Sequence, residues 1–155
     1  MLAVSPIYMI HNLIITYLTL GILNQLFYIK ISKKQTALYV LWMQAIFIFN
    51  DFVIEANFPL EWKYPTIFVG FTVGFLVFLR LPLVSSMLLM IMNLSINGVA
   101  TNLNIVTLSL TQFESYGHAL EADFYQYTSL VMVILMMFMV LRTFNVRVLD
   151  ISRYN

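Results

Sequence analysis

Long apolar runs separated by short polar segments dominate the pattern of hydrophobic and polar positions along the chain. A helix that crosses a bilayer needs about 20 mostly apolar residues. Runs of that kind, bounded by charged residues or proline, predict five membrane-spanning helices at about residues 7–28, 37–54, 64–79, 82–110 and 124–141. The predicted fold class is therefore all-α, a polytopic membrane helical bundle that forms a single domain over residues 1–155.

The third and fourth runs depart from the usual length of a membrane span. The third begins with Pro65 at a position suited to the first helical turn, and it ends at Arg80 with Pro82 just beyond. The fourth has about 28 residues, which gives a helix of about 42 Å against a hydrocarbon core of about 30 Å. It must tilt, protrude or break, so the number of membrane-embedded segments stays open at four, five or six.

Composition supports the membrane class. The chain is 61% hydrophobic and 10% charged, against about 45–50% and about 25% in ordinary soluble domains. Its 8 Lys and Arg residues and 7 Asp and Glu residues cannot coat a soluble domain of this length. The net charge of +1 and the lack of a Lys/Arg-rich run predict no nucleic-acid partner. With no cysteine, disulfides and thiolate metal sites are excluded.

The distribution of Lys and Arg predicts the orientation, because short cytoplasmic loops carry the excess of positive charge. One side of the five-span topology holds Lys30, Lys33, Lys34, Arg80, Arg142, Arg147 and Arg153. The other side holds Lys63 and most of the acidic residues, namely Asp51, Glu55, Glu61, Glu114, Glu121 and Asp123. The basic side is therefore predicted to be cytoplasmic, which gives an N-out, C-in topology. Met1 to Pro6 contains no Lys or Arg, so we expect the first span to be retained rather than cleaved as a signal peptide.

The fourth run carries the candidate ligand-binding residues. On a helical wheel, one sector, the asparagine stripe, holds Ser86, Asn93, Asn97, Thr101 and Asn104. Asparagine is costly in lipid, so these side chains are expected to face the bundle interior. Three interpretations stay open: hydrogen bonding between helices, a polar ligand cleft widened by a break at Asn97-Gly98, and a helix end that lies in the membrane interface.

Residue patterns in the other spans indicate how the helices pack around the asparagine stripe. Thr66, Gly70 and Gly74 recur every four residues, a small-residue face that lets two helix backbones approach closely within the chain. The fifth span is apolar all round, so it should be peripheral. Polar residues of the first two spans could meet the asparagine stripe: Asn12, Tyr17, Asn24, Gln25 and Gln44.

The sequence offers no catalytic or metal-binding motif. There is no GxSxG, GxxxxGK[ST] or HExxH, so we expect no enzyme activity and no cofactor. His118 lies three residues before Glu121, but a metal site needs three or four ligands, and neither this pair nor His11 belongs to a zinc-type spacing. No metal site is therefore predicted.

The basic turn Lys30–Gln35 and the joint Phe78–Leu83, with the pattern of spans over residues 7–110, carry a resemblance to a known family. They resemble the transmembrane sensor module of the quorum-sensing receptor kinases of the accessory-gene-regulator type, found in Gram-positive bacteria. In that family the last span leads into a cytoplasmic helix and a kinase domain, whereas here only Thr143 to Asn155 follow Arg142. The resemblance implies a bacterial plasma-membrane protein that is either truncated or signals through a partner.

Three hypotheses about function follow. The first is a non-enzymatic sensor or receptor-like module whose asparagine-lined cleft binds a small or peptide ligand from outside. The second is a small transporter or channel subunit in which the same stripe lines a permeation path. The third is a structural subunit of a larger membrane complex that docks through the fifth span. Membrane lipids are the expected contacts, and a membrane or cytoplasmic protein partner or a homo-oligomer stays open.

Overall fold

A computed structural model describes residues 6–110 and 119–148, and all the regular secondary structure in these ranges is helical. The all-α prediction is therefore confirmed. The helices are α1 (Pro6–Phe27), α2 (Lys33–Phe49), α3 (Glu55–Asn57), α4 (Lys63–Val77), α5 (Leu83–Leu110) and α6 (Ala119–Thr143). A π-helical turn at Asn50–Ile54 extends α2, and a short 3₁₀ turn at Leu60–Trp62 precedes α4.

Four helical segments are long and apolar enough to cross a membrane. They are Tyr8–Phe27, Lys33–Ile54, Leu83–Leu108 and Tyr125–Thr143. They coincide with four of the five predicted spans, and the remaining predicted span is α4, which has 15 residues. At about 1.5 Å per residue α4 is about 23 Å long, shorter than a hydrocarbon core of about 30 Å.

The helix α5 is unbroken over its 28 residues, so the break suggested at Asn97-Gly98 is wrong. The Asn97 side chain donates to the Asn93 carbonyl one turn back at 2.9 Å, which reinforces the helix at this point. A glycine in a helix costs only about 1 kcal/mol relative to alanine. A break would leave several backbone groups without partners in lipid, which costs more. The full length of α5 must therefore be accommodated by tilt or protrusion.

The helix α1 is the central element of the bundle. It packs against α2, α5 and, most extensively, α6, while α4 packs between α2 and α5. Of the most apolar stretch of α1, 44% is buried, against 6% for α6, so α6 lies at the periphery as its apolar surface predicts. Fully buried side chains from α1, α2, α4, α5 and α6 form one core: Ile22, Leu23, Tyr39, Met43, Phe75, Leu89, Met90 and Ile134.

The α2–α4 interface depends on two glycines of the predicted small-residue face. A Cβ atom on Gly70 would lie 2.8 Å from the Ile46 side chain, and one on Gly74 would lie 3.0 Å from the Tyr39 and Trp42 rings. The indole Nε1 of Trp42 donates to the Gly70 carbonyl at 2.8 Å, an approach that a larger residue would prevent. The face is therefore used for packing within the chain, as the spacing predicts.

The structure separates basic and acidic residues to opposite ends of the bundle. The basic end consists of the α1–α2 turn, the α4–α5 turn and the segment after α6, where the Val148 amide donates to the Leu26 carbonyl at 2.8 Å. Its cations are Lys30, Lys33, Lys34, Arg80, Arg142 and Arg147. The acidic end holds Asp51, Glu61 and Lys63. Arg153, Asp150, Glu114 and Asp123 lie outside the described side chains.

The N-out topology can be tested by labelling single cysteines, because the chain has none of its own. Glu61 and Lys34 are both exposed, at the acidic and basic ends respectively. We expect a membrane-impermeant maleimide to label Glu61→Cys in intact cells and Lys34→Cys only after permeabilisation. The reverse pattern would show that the basic end faces outward.

The glycine contacts predict that Gly70→Val lowers stability. The added side chain must displace Ile46, and overpacking of this kind costs about 1–3 kcal/mol. Gly98→Val is a matched control, because no atom lies within 4 Å of a Cβ built on Gly98. Thermal unfolding in detergent should show a lower Tm for Gly70→Val than for Gly98→Val, and equal values would contradict the close α2–α4 approach.

Candidate functional site

A set of polar side chains with buried atoms, the polar column, is contributed by α1, by α2 with its π turn, and by α5. Six residues form this polar column: Asn12 and Thr19 of α1, Gln44 of α2, Asn50 of the π turn, and Asn93 and Asn104 of α5. Asn50, Asn93 and Asn104 are at most 3% exposed. Burying a polar group in apolar surroundings costs free energy unless it forms hydrogen bonds. The partners of these side chains therefore decide what the column can do.

Each residue of the polar column has a buried polar atom without a hydrogen-bond partner among the residues that the structure describes. The unpaired donors are the side-chain amide nitrogens of Asn12, Gln44 and Asn93. The unpaired acceptors are the side-chain carbonyl oxygens of Asn50 and Asn104, and the Thr19 hydroxyl can act either way. The column therefore presents both donors and acceptors in a buried setting.

The polar column is elongated along the bundle axis. Asn93 and Asn104 are separated by eleven residues of one continuous helix, or about 16 Å. On α1, Asn12 and Thr19 are seven residues apart, or about 10 Å. Groups spread over this length match an extended molecule better than a single ion.

Only some residues of the asparagine stripe on α5 share one buried face in the structure. Asn93 and Asn104 are buried on one line, because eleven residues return a helix to within about 20° of the same direction. Steps of four residues drift by about 40° each, so Asn97 is half-buried and Thr101 is exposed. Thr101 therefore does not share the buried face with the other residues.

Ser86 is fully buried but lies away from the polar column. It is near the start of α5, at the basic end, seven residues or about 10 Å from Asn93 and eighteen residues or about 27 Å from Asn104. Its hydroxyl donates to the Leu81 carbonyl at 3.4 Å, and its amide donates to the Pro82 carbonyl at 2.9 Å. Ser86 therefore stabilises the α4–α5 joint and is separate from the buried amides.

Hydrogen bonding between helices accounts for part of the stripe. The Asn104 amide nitrogen donates to the Gln126 carbonyl of α6 at 3.2 Å. The Asn97 amide nitrogen lies 3.4 Å from the Asn93 side-chain oxygen, within the same helix. Asn104 therefore links α5 to α6, while its own side-chain oxygen is left without a partner in the described part of the chain.

Polar and aromatic side chains surround the end of the polar column nearest the acidic end of the bundle. The Tyr8 phenol lies near the Asn12 and Asp51 side chains. The Asp51 carboxylate lies 3.9 Å from the Lys63 ammonium, and both side chains are partly exposed. The Tyr8 and Tyr127 rings meet edge to face at 5.4 Å between centroids. These side chains form a rim at the acidic end, close to Asn12 of the polar column.

The π turn places Asp51 at this rim. The Asn50 amide nitrogen donates to the Ile46 carbonyl at 3.0 Å, which stabilises the entry into the wider turn. The π turn keeps Asn50 fully buried while the neighbouring Asp51 reaches Lys63 of α4. Single π turns inside α-helices are found frequently at functional sites.

Five polar residues of the first two spans were expected near the asparagine stripe. Two of them belong to the polar column and three do not. Asn12 and Gln44 belong to the polar column. Tyr17 and Asn24 are exposed, and the Gln25 amide nitrogen donates to the Asn145 side chain at 3.3 Å near the basic end.

Sequence reasoning missed several buried polar residues. Asn12, Thr16 and Thr19 follow the i, i+4, i+7 spacing of one helix face, a signal that could have identified Thr16 and Thr19 on α1. Asn50 follows Met43 and Ile46 by seven and four residues, so the same spacing could have identified it on α2.

No group of three or more His, Asp or Glu side chains that could hold a metal occurs in the described residues. His118 lies outside those residues, and the Glu121 side chain is not described either. The His11 imidazole Nε2 lies 3.1 Å from the Thr128 hydroxyl of α6, so this histidine contributes to the α1–α6 contact.

Comparisons with protein-family models, with curated proteins and with solved structures give no match. The function must therefore be argued from the polar column and its surroundings.

The contact between α1 and α6 near the polar column predicts selective cross-linking. A short bifunctional thiol reagent should join His11→Cys to Thr128→Cys, because the two native side chains are 3.1 Å apart. Ile10→Cys with Thr128→Cys is the control, since Ile10 is exposed and points about 100° away on the same helix. Mass spectrometry of the digested protein measures the linkage, and equal yields from both pairs would contradict the packing.

Proposed function

We propose that this protein is a non-enzymatic membrane sensor or receptor-like module that binds a small polar or peptide ligand in the polar column. The observation that supports the proposal is the set of buried, unpaired amide groups contributed by three helices. An unsatisfied buried polar group costs about 1–3 kcal/mol, so several of them together are unusual unless another molecule satisfies them. The ligand would supply the missing partners.

The chemistry of the polar column favours an uncharged ligand that carries amide groups. The unpaired nitrogens of Gln44 and Asn93 suit carbonyl oxygens, and the unpaired oxygens of Asn50 and Asn104 suit N–H groups. A peptide backbone carries both groups in alternation along its length. The rim formed by Tyr8, Asp51 and their neighbours provides an entrance at the acidic end, which the charge distribution predicts to face outward.

The pairing of α1 with α6 provides a route by which binding could reach the basic end. His11 contacts Thr128 near the polar column, and Gly21 lies against the Phe138 ring further along. Beyond the end of α6, the Val148 amide donates to the Leu26 carbonyl of α1 at 2.8 Å. A shift of α1 on ligand binding would therefore move α6 and the segment that follows it.

A partner protein would bind at the basic end and respond to this movement of α6 and the segment that follows it. The resemblance to receptor kinases of the accessory-gene-regulator type makes a kinase one candidate partner. Native mass spectrometry of the protein purified in mild detergent would identify it. Purification of the chain alone or as a homo-oligomer would count against signalling through a separate protein.

A transporter or channel subunit is the alternative function, with the polar column as the path of a neutral solute. Towards the basic end, fully buried apolar side chains fill the interior: Leu23, Phe75, Leu89 and Met90. This packed core favours a ligand that enters and leaves from one side. Flux of uncharged tripeptides into proteoliposomes would support the alternative.

The proposal predicts that Asn93→Leu weakens ligand binding without lowering stability. Leucine removes a buried donor that has no partner in the described structure, so the Tm should stay the same or rise. Binding of a library of uncharged, end-blocked tripeptides, measured by native mass spectrometry, should weaken about tenfold or more, the equivalent of about 1.4 kcal/mol. Asn104→Leu should weaken binding in the same direction.

Asn102→Leu is the matched control for these variants. Asn102 is exposed on the same helix, and its amide nitrogen donates to the Gly98 carbonyl at 2.9 Å. It should bind the tripeptides as the wild type does. If the wild type retains no tripeptide, or if Asn93→Leu and Asn102→Leu bind equally well, the polar column is not the ligand site.

A further inference from the structure

A cleft of about 600 Å³ opens at the basic end, between the end of α1 and the start of α2. Its polar lining consists of Asn24, Gln25, Lys30, Ser32, Gln35 and Arg147. Its volume falls within the range of about 300–1,000 Å³ that is typical of ligand sites. This headgroup cleft is separate from the polar column and is lined by different residues.

The headgroup cleft is positively charged. Lys30 and Arg147 line it, and Arg142 lines a neighbouring cleft of about 450 Å³ that shares Asn24 and Gln25. The acidic side chains that the structure describes, Asp51 and Glu61, are at the opposite end of the bundle. The described part of the chain therefore supplies no carboxylate to neutralise these cations, and an anion would be attracted to them.

The Arg147 side chain is held in place at the rim of the headgroup cleft. Its guanidinium carbon lies 5.2 Å from the centroid of the Tyr28 ring, a cation–π contact. A guanidinium presents N–H groups in a planar fork that matches the oxygens of a phosphate. Holding the guanidinium before an anion arrives lowers the entropy that binding would cost.

Two helices end beside the headgroup cleft, each through a residue in the left-handed region. Tyr28, directly after α1, has a φ of 47°, and Asn145, just after α6, has a φ of 50°. A left-handed residue commonly ends a helix, and the Val146 amide donates to the Leu141 carbonyl at 3.1 Å, a bond typical of such an end. These turns place Tyr28 and Arg147 at the rim of the cleft.

The start of α2 adds a weaker attraction for anions. The Ser32 hydroxyl accepts a hydrogen bond from the Gln35 amide, and the Gln35 side chain accepts one from the Ser32 amide. This capping box fixes the first turn of a 17-residue helix, whose N-terminus carries partial positive charge. The positive end of α2 therefore borders the same cleft as Lys30 and Arg147.

We propose that the headgroup cleft binds the phosphate group of an anionic phospholipid. The neighbouring cleft that contains Arg142 is lined by both polar and apolar side chains, and the apolar ones, among them Leu18, Leu20 and Phe138, suit an acyl chain. Together the two clefts offer a charged place for the phosphate and an apolar place for the chain. A soluble phosphate would use the first of these but not the second.

A bound lipid would also fix the segment after α6. Arg147 lies next to Val148, whose amide is bonded to the Leu26 carbonyl of α1. A phosphate held by Arg147 and Lys30 would join this segment to the α1–α2 turn. The lipid would thereby stabilise the basic end independently of any ligand in the polar column.

The experiment compares lipid retention in native mass spectrometry after reconstitution in nanodiscs. Wild-type protein in an equal mixture of phosphatidylglycerol and phosphatidylcholine should retain phosphatidylglycerol preferentially. The double variant Lys30→Gln/Arg147→Gln should lose that preference by about tenfold or more. Lys33→Gln is the matched control, because Lys33 is an exposed cation at the same end that does not line the cleft. It should change retention less than twofold.

Two further measurements keep the outcome decisive. The Tm of each variant in detergent without added lipid should match that of the wild type, which separates lost binding from lost folding. Millimolar inorganic phosphate should leave phosphatidylglycerol bound, because it cannot occupy the apolar cleft.

Four results would overturn the lipid site: equal retention of both lipids by the wild type, equal losses in Lys33→Gln and the double variant, unfolding of the double variant without added lipid, or displacement of the lipid by phosphate alone. Tripeptide binding in the polar column should be unaffected by Lys30→Gln/Arg147→Gln, so failure of one proposal leaves the other standing.

Discussion

The hydrocarbon core of a membrane offers no water to a polar group, and this constraint governs the whole structure. Backbone groups meet it by forming helices, which is why the described chain is helical and why α5 continues unbroken through Gly98. Side chains meet it by donating to carbonyls of their own helix, as Thr72 does to Phe68 at 2.9 Å. The polar column keeps buried atoms without a partner among the described residues, and these atoms are the basis on which we propose a ligand.

Two helix pairs of the bundle are held together by different kinds of contact. The α2–α4 pair is fixed by close approach at Gly70 and by stacked rings of Tyr39 and Phe75, 5.0 Å between centroids. The α1–α6 pair has one buried partner and one that is largely exposed, joined by polar contacts near both ends. The first pair is therefore joined mainly by apolar and aromatic packing, whereas polar contacts help to hold the second.

The fold could be predicted from the sequence to a greater extent than the site. Apolar runs between charged residues located the helices within a few residues, and the spacing of Gly70 and Gly74 predicted a close helix contact. The prediction that the residues of the asparagine stripe share one buried face was only partly right, because residues four positions apart drift around a long helix. Asn104 therefore stays on the buried face while Thr101 turns away from it.

The remaining features depend on contacts that a sequence pattern does not contain. The headgroup cleft brings together the α1–α2 turn and Arg147, which are far apart in sequence and are joined by packing between α1 and α6. The left-handed backbone at Tyr28 carries no sequence signal either, since tyrosine is not typical of that conformation. Both features arise where helix ends meet, and spacing within one helix cannot predict such meetings.

The π turn at Asn50–Ile54 has a consequence for how the acidic end of the bundle is specified. A π turn holds one residue more than the α-helical turn it replaces, and each residue rotates a helix by about 100°. Losing a single residue there would restore an ordinary helix and rotate Asp51 away from Lys63, although every side chain in the core could keep its identity. The pairing of these two charges therefore depends on the number of residues in the segment as well as on their chemistry, which makes this segment sensitive to deletion in a way that substitutions alone would not reveal.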